Sequence, residues 1–239
     1  MIQKAIIFDS STLISFAMNG ILDILRDLKK EFSTQGRTPN NIQKNIVTKG
    51  RSFLITPDVK REVIDRPITI TRFKLEALKI QGLLDEGVLE LANYEGMQKK
   101  TKEILDIANS IFMGRDKEIK LISSGEASCL ALSRLLTEKK IMNVVAVDER
   151  TTRMLVENPE NLGKFLEKKM HTKIDFKKDN FEIFKNFKVI RSAELVYIAH
   201  KKKLVKIGNG KLLDALLWAV KFKGCSISNE EINEMKKLG

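Results

Sequence analysis

The chain of 239 residues has two cysteines, four prolines, two histidines and one tryptophan. Each shortage closes a route. Cys129 and Cys225 form no Cys-x-x-Cys pair, which argues against a zinc ribbon or a dithiol redox site. Their apolar, helix-adjacent surroundings predict small buried side chains. His171 and His200 both sit among lysines, which predicts exposed positions and argues against histidine acid–base catalysis. No apolar run approaches the roughly 18 residues needed to cross a bilayer, so no membrane partner is expected. The stretch Met1-Ile2-Gln3-Lys4-Ala5 leads straight into a strand and lacks a signal peptide's apolar core, so the expected location is cytoplasmic.

What the chain has is apolar material and positive charge. Hydrophobic residues make up 43%, enough to bury a core. Lys and Arg number 43 against 31 Asp and Glu, a net charge of +12. Such a surplus favours a polyanionic partner, because each neutralised phosphate releases counterions.

The order of patterns predicts an α/β fold. Residues 2–8 end in a short apolar run followed by Asp9-Ser10-Ser11, which reads as a buried parallel strand and a turn. From Thr12 the period becomes helical, with Ile14, Ala17, Ile21, Ile24, Leu25 and Leu28 on one face. Phe53-Leu54-Ile55 reads as a second strand. Thr56-Pro57 then opens a helix, Thr56 as its cap and Pro57 at the first position. Val59, Val63 and Ile64 form its buried face beside Glu62, and Pro67 stops it. Further helices are marked by Phe73, Ala77, Ile80 and Leu84, and by Ile104, Ala108 and Ile111. Val88 to Leu91 fits a short edge strand. Ser124-Gly125-Glu126-Ala127 opens a helix to about Lys139. Val144 to Val147 is a buried strand ending at Asp148, and Lys188-Val189-Ile190 is the last strand. Helices follow at about 192–202, 211–223 and 229–238, the last capped by Asn229. Trp218 reads as part of a buried face with Leu213, Leu216, Leu217 and Val220. Residues 31–52 and 156–187 are polar, basic and without period, and read as insertions in a single domain spanning 1–239. Strands alternating with helices predict a three-layer α/β/α sandwich with a mainly parallel central sheet.

Asp9 and Asp148 each follow a buried strand, Glu126 opens a helix, and Glu62 lies on a helix that follows a strand. In open α/β sheets these places gather along one edge, where ligands bind. Four converging carboxylates repel one another unless a hard divalent cation joins them, and oxygen donors suit Mg²⁺ or Mn²⁺. Singly, each has a plainer reading. Asp9 could cap its helix, Glu126 and Asp148 could favour helix N-termini, and Glu62 could belong to a solvated face. Two other chemistries fit poorly. A haloacid-dehalogenase phosphatase needs a second Asp two residues after the first, where Ser11 stands. Dinucleotide binding needs a glycine-rich first turn, and Asp9-Ser10-Ser11 has none. Gly208-Asn209-Gly210 reads as a plain turn.

Four segments in order resemble a PIN domain: Ile7-Phe8-Asp9-Ser10-Ser11-Thr12-Leu13-Ile14, then Thr56-Pro57 through Glu62-Val63, then Ser124-Gly125-Glu126-Ala127, then Val145-Ala146-Val147-Asp148-Glu149. The stretch from Ser192 to Lys203-Leu204, followed by Leu213 to Ser228, resembles the C-terminal part of prokaryotic members. The resemblance covers about two thirds of the chain and leaves 31–52 and 156–187 outside it. It implies a metal-dependent endoribonuclease acting on single-stranded or structured RNA. Asp9, Glu62, Glu126 and Asp148 would be catalytic ligands of Mg²⁺ or Mn²⁺, with Ser11 and Thr152 as polar neighbours. Ala146-Val147 departs from the polar residues common in the family before the last carboxylate. Lysines at 168, 169, 177 and 178, and Lys201, Lys202 and Lys203, are the expected grip on the phosphate backbone. A non-cleaving nucleic-acid-binding module and a toxin held by an antitoxin partner remain as alternatives, and a homo-oligomer is compatible with all three.

Overall fold

The computed structural model describes residues 4–34, 51–205 and 210–238. In chain order, β1 (Lys4–Phe8) leads into α1 (Ser10–Met18) and α2 (Asp23–Thr34). β2 (Arg51–Ile55) precedes α3 (Pro57–Lys60), which continues as a π-turn (Arg61–Asp65) and two 3-10 turns (Pro67–Thr69, Thr71–Phe73) into α4 (Lys74–Asp85). Then come β3 (Glu90–Leu91), α5 (Met97–Ser110), β4 (Phe112–Gly114), β5 (Lys117–Glu118), α6 (Ser124–Glu138) and β6 (Met142–Ala146). The remainder is α7 (Arg150–Glu157), α8 (Pro159–Met170), β7 (Ile174–Phe176), a 3-10 stretch (Lys178–Phe184), β8 (Val189–Ile190), α9 (Ser192–Lys201), α10 (Leu212–Phe222) and α11 (Asn229–Leu238).

Five strands form one parallel sheet in the order β3-β2-β1-β6-β8. α5 and α6 pack on one side, and α2, α9 and α10 on the other, giving the expected three layers. β1 is apolar from Ala5 to Phe8 because both its faces are covered there: Ile7 and Phe8 are fully buried, as are Phe53 and Ile55 of β2. From β1 the chain moves outward through β2 to β3, then returns to place β6 and β8 on β1's other side. The order therefore reverses between β1 and β6. Crevices of this kind, at the C-terminal ends of strands, are where α/β sheets bind ligands. The register pairs Phe8 with Ala146, so the two strands end side by side. Among the described residues, no helix is long and apolar enough to cross a membrane.

Thr56 caps α3, its hydroxyl accepting the Val59 amide at 3.2 Å with Pro57 next in line, as expected. Several readings need correcting. The helix expected from Thr12 breaks in two. Gly20 takes φ +68°, the Ile21 and Gly20 amides bond back to the Phe16 and Ala17 carbonyls, and α1 closes in a Schellman turn. Ile14 faces outward, 39% exposed, rather than inward. Phe73 is exposed too, while Leu83 supplies the buried contact on α4.

Residues 156–187 are not irregular. Lysines set their composition, but Leu162, Leu166, Ile174, Phe181 and Phe184 are buried. β7 joins the unanticipated β4–β5 hairpin in a small antiparallel sheet, order β5-β4-β7. Phe112, Phe176 and Phe181 cluster there with ring centroids 5.6–5.9 Å apart. In 31–52, α2 runs on to Thr34 and β2 begins at Arg51, and the expected loop between them lies outside the described residues. Ser228, not Asn229, caps α11: its hydroxyl accepts the Glu231 amide at 3.1 Å, and the Glu231 carboxylate accepts the Ser228 amide at 2.8 Å. Trp218 is only half-buried, stacked on a Phe222 that is 77% exposed. His171 is exposed as expected, and His200 is half-buried.

Candidate active site

Asp9 follows β1 directly and caps α1. Its Oδ2 accepts the Ser11 amide at 3.0 Å and the Ser11 hydroxyl at 2.6 Å. The carboxyl is 1% exposed. Burial, and then the charge of Glu126, push its pKa up to about 7, against the opposing pull of the Ser11 hydrogen bonds. The Ser11 hydroxyl also accepts the Asp148 amide at 3.1 Å. Ser11 thus ties the end of β1 to the end of β6.

Glu126 is the third residue of α6. Its Oε2 accepts the Ser123 amide at 2.7 Å, and Ser123 answers with its hydroxyl, a capping box. Its Oε1 accepts the hydroxyl of Thr152, which reaches over from α7. Burial raises the Glu126 pKa, and the hydrogen bonds from Thr152 and Ser123 oppose it. Ser11 and Thr152, singled out by sequence, therefore hold Asp9 and Glu126.

Glu62 comes to this group through the π-turn. The wider turn at Arg61–Asp65 interrupts the helix begun at Pro57, and such turns recur at functional sites. The Glu62 carboxylate occupies the space beside the α-carbon of Gly125. A Cβ at position 125 would fall 2.6 Å from its Oε2, so only glycine admits this approach. Cys129, one turn further along α6, has its thiol 3.7 Å from the Phe8 carbonyl. Burial and the charges of Asp9, Glu126 and Glu62 push that thiol's pKa far up, as expected of a group beneath three carboxylates.

Asp148 stands on the other side of Ser11. Its Oδ1 accepts the Ser192 amide at 2.7 Å and its Oδ2 accepts the Ser192 hydroxyl. Burial raises its pKa and these bonds oppose the rise. Ser192 is the functional neighbour that sequence reasoning did not assign. Its place, two residues after β8, was the available signal.

None of the four carboxylates forms an ion pair with a described Lys or Arg, although the chain has 43 of them. Cations elsewhere are engaged: Arg191, beside Ser192, binds Glu194 and, at 2.8 Å, Glu231. Among the described residues, no three His, Cys, Asp or Glu side chains are grouped so as to hold a metal ion as they stand. The donors are nonetheless all oxygen: Oδ2 of Asp9 already accepts two hydrogen bonds, whereas each oxygen of Glu126 accepts one and keeps a further lone pair.

The expected phosphate-gripping lysines fall on several elements. Lys168 and Lys169 are exposed on α8, Lys177 and Lys178 are exposed just after β7, and Lys178 pairs with Glu160 at 3.2 Å. Lys202 is half-buried and paired with Glu31 at 2.8 Å, which makes it a link between α9 and α2. Lys201 and Lys203 are exposed. Compared with protein-family models, curated proteins and solved structures, the chain matches none.

Proposed function

We propose that the chain is a PIN-like endoribonuclease that hydrolyses RNA phosphodiester bonds with Mg²⁺ or Mn²⁺, acting in the cytoplasm. One observation carries the reading. Acidic residues from four separate segments lie around the sheet's switch point, Asp9, Glu126 and Asp148 buried, and none of the four is paired with a described cation. Burying several such charges is costly unless they are paired or bind a metal.

Asp9, Glu62, Glu126 and Asp148 would hold the ion, and their oxygen donors suit a hard divalent cation. Bound there, it would supply Lewis-acid charge to a phosphoryl oxygen and acidify a water. The protein's own groups do the positioning. Ser11 and Thr152 fix Asp9 and Glu126, Gly125 seats Glu62, and Ser192 fixes Asp148. The exposed lysines of α8 and of the segment after β7 would hold the phosphate backbone.

A second reading is a nucleic-acid-binding module that does not cleave. It is favoured by the hydrogen bonds that already occupy both oxygens of Glu126 and Asp148. One experiment separates the two. The purified chain is incubated with a mixed single-stranded RNA pool in Mn²⁺, Mg²⁺ or EDTA, beside Asp148→Asn. The nuclease reading expects metal-dependent cleavage, lost in EDTA and in the variant, with RNA affinity retained. Binding without cleavage in any metal selects the module. Cleavage by the variant at the wild-type rate removes the carboxylate assignment.

A further inference from the structure

We infer that the chain has a second binding site, at the sheet edge away from the four carboxylates, for a small amphiphile with a linear apolar body and an anionic head. β1, β6 and β8 begin at that edge. A cavity of about 560 Å³ lies there, lined by these strands, α2, α9 and the end of α6. Ligand pockets run from about 300 to 1,000 Å³. The length of β1, about 16 Å, separates the cavity from Asp9. The inference does not depend on what the carboxylate site does.

The body of the cavity is apolar. Ile6, Val144 and Ile190 come from the sheet, Phe32 from α2 and Ile198 from α9. Ile6 pairs with Val144, and Ile190 with Ala146 two residues further on, so all three lie on one face of the sheet. The two helical walls are tied to each other. Lys202, one turn beyond Ile198, meets Glu31, next to Phe32, at 2.8 Å. A cavity fixed in this way loses little entropy when a ligand enters.

The polar side chains decide the ligand class. Ser133, Thr137 and Asn143 are engaged with one another. The Asn143 side-chain carbonyl accepts the Ser133 hydroxyl at 2.6 Å, and its amide donates to the Ser133 and Ile141 carbonyls and the Thr137 hydroxyl. Thr137 donates in turn to the Ser133 carbonyl at 2.9 Å. Asn186 is exposed. A nucleobase or a sugar would therefore bury polar groups without partners. Three lysines remain: Lys4, Lys140 and Lys188. All are exposed, and none pairs with a described carboxylate. No described Asp or Glu lines the cavity. Three ammonium groups beside an apolar pocket suit a carboxylate or phosphate head with its tail inside.

Lys140 stands out among the three. It takes φ +59° in the Schellman turn that ends α6, its amide on the Thr137 carbonyl and the Ile141 amide on the Leu136 carbonyl. Glycine suits that position best, so a lysine there keeps a charge at the cavity against backbone preference.

The test is calorimetric titration of the full chain with octanoate, decanoate, dodecanoate, decyl phosphate, decanol and AMP, all below micelle formation. Decanoate should bind one to one. Each two methylenes from octanoate to dodecanoate should tighten binding about tenfold. Decanol, which lacks the charge, should bind about tenfold more weakly than decanoate, and AMP not at all. The tighter of decanoate and decyl phosphate identifies the head. Lys140→Gly should raise Tm. Combined with Lys188→Gln it should weaken decanoate about tenfold and leave decanol unchanged, a split that lysines serving only the fold would not give. Ile198→Trp should abolish binding of both by filling the cavity, and the lysine variants serve if it misfolds. Absence of binding by every anionic amphiphile overturns the inference. So does affinity that ignores chain length, equal affinity for decanoate and decanol, a lysine pair without effect on decanoate, or AMP binding more tightly than decanoate.

Discussion

Replacing Asp9 by Asn should make the metal-free protein more stable at neutral pH, although Asp9 caps a helix. Asn is as good an N-cap as Asp, and its side-chain carbonyl can accept the same Ser11 amide and hydroxyl. What the substitution removes is the ionisable proton. Asp9 has a folded pKa of about 7, against about 3.9 for an unperturbed Asp. Between those values the unfolded chain releases a proton that the folded chain keeps. Folding stability conferred by the raised pKa is whole below about pH 4 and falls as pH rises, by about 1.4 kcal/mol per unit, until about pH 7. Integrated over that window, the ionised carboxylate costs wild type on the order of 4 kcal/mol at pH 7. The Asn variant does not have this cost, and it also relieves Glu126 of a like charge. Urea unfolding of both proteins in EDTA, at several pH values from about 4 to about 8, measures the difference. The curves should meet near pH 4, diverge to about pH 7 and then run parallel. A difference that is constant with pH, or a variant less stable than wild type at neutral pH, would refute the reasoning and leave Asp9 as a cap alone. Adding Mn²⁺ tests the proposed ion separately: at a hundredfold excess over Kd wild type should gain about 2.7 kcal/mol, the variant much less.

Gly125→Ala should leave the fold intact, changing stability by no more than about 1 kcal/mol, since alanine suits a helix better than glycine. It should shrink the Mn²⁺-induced rise in Tm, because its Cβ displaces the Glu62 carboxylate, and an undiminished rise would free Glu62 from the site. Arg191→Met should cost about 1 kcal/mol in urea unfolding, because Glu194 and Glu231, each a third or more exposed, lose their partner; a cost within error of zero would show the pair to be dispensable. Replacing Lys168, Lys169 and Lys177 by Gln should flatten the salt dependence of RNA binding by about 2 in log–log slope, at roughly 0.7 per single-strand phosphate contact. An unchanged slope would move the binding surface elsewhere.

Where local chemistry decided a feature, the sequence was readable. Thr56-Pro57 starts a helix because a hydroxyl acceptor and a fixed φ are both needed there, whatever surrounds them. Asp9 and Asp148 could be placed at strand ends because a run of buried apolar residues stops abruptly before each. Features decided at a distance were hidden. β4, β5 and β7 are two or three residues long, too short for any period to show. α8 carries Leu162 and Leu166 at helical spacing, but its lysines dominate the composition. The break after α1 was masked because Ile21, Ile24 and Leu25 continue the apolar period across Gly20. The π-turn leaves no mark in residue type, yet it is what brings Glu62 to Gly125.

The same division applies to the site itself. Sequence order supplies four carboxylates but not their neighbours, and for a buried acid the neighbours decide the chemistry. In a chain this rich in lysine and arginine, the expected fate of a carboxylate is an ion pair, as Glu31, Glu194 and Glu231 show. Asp9, Glu126 and Asp148 are instead held by hydroxyls and amides from Ser11, Thr152 and Ser192. These are neutral donors that orient a carboxylate without neutralising it. A structural acid in the same position would be more stable with a lysine or arginine beside it. Orientation without neutralisation costs stability in the metal-free state, which is why the pH arm of the Asp9→Asn experiment bears on the site even before a substrate is found.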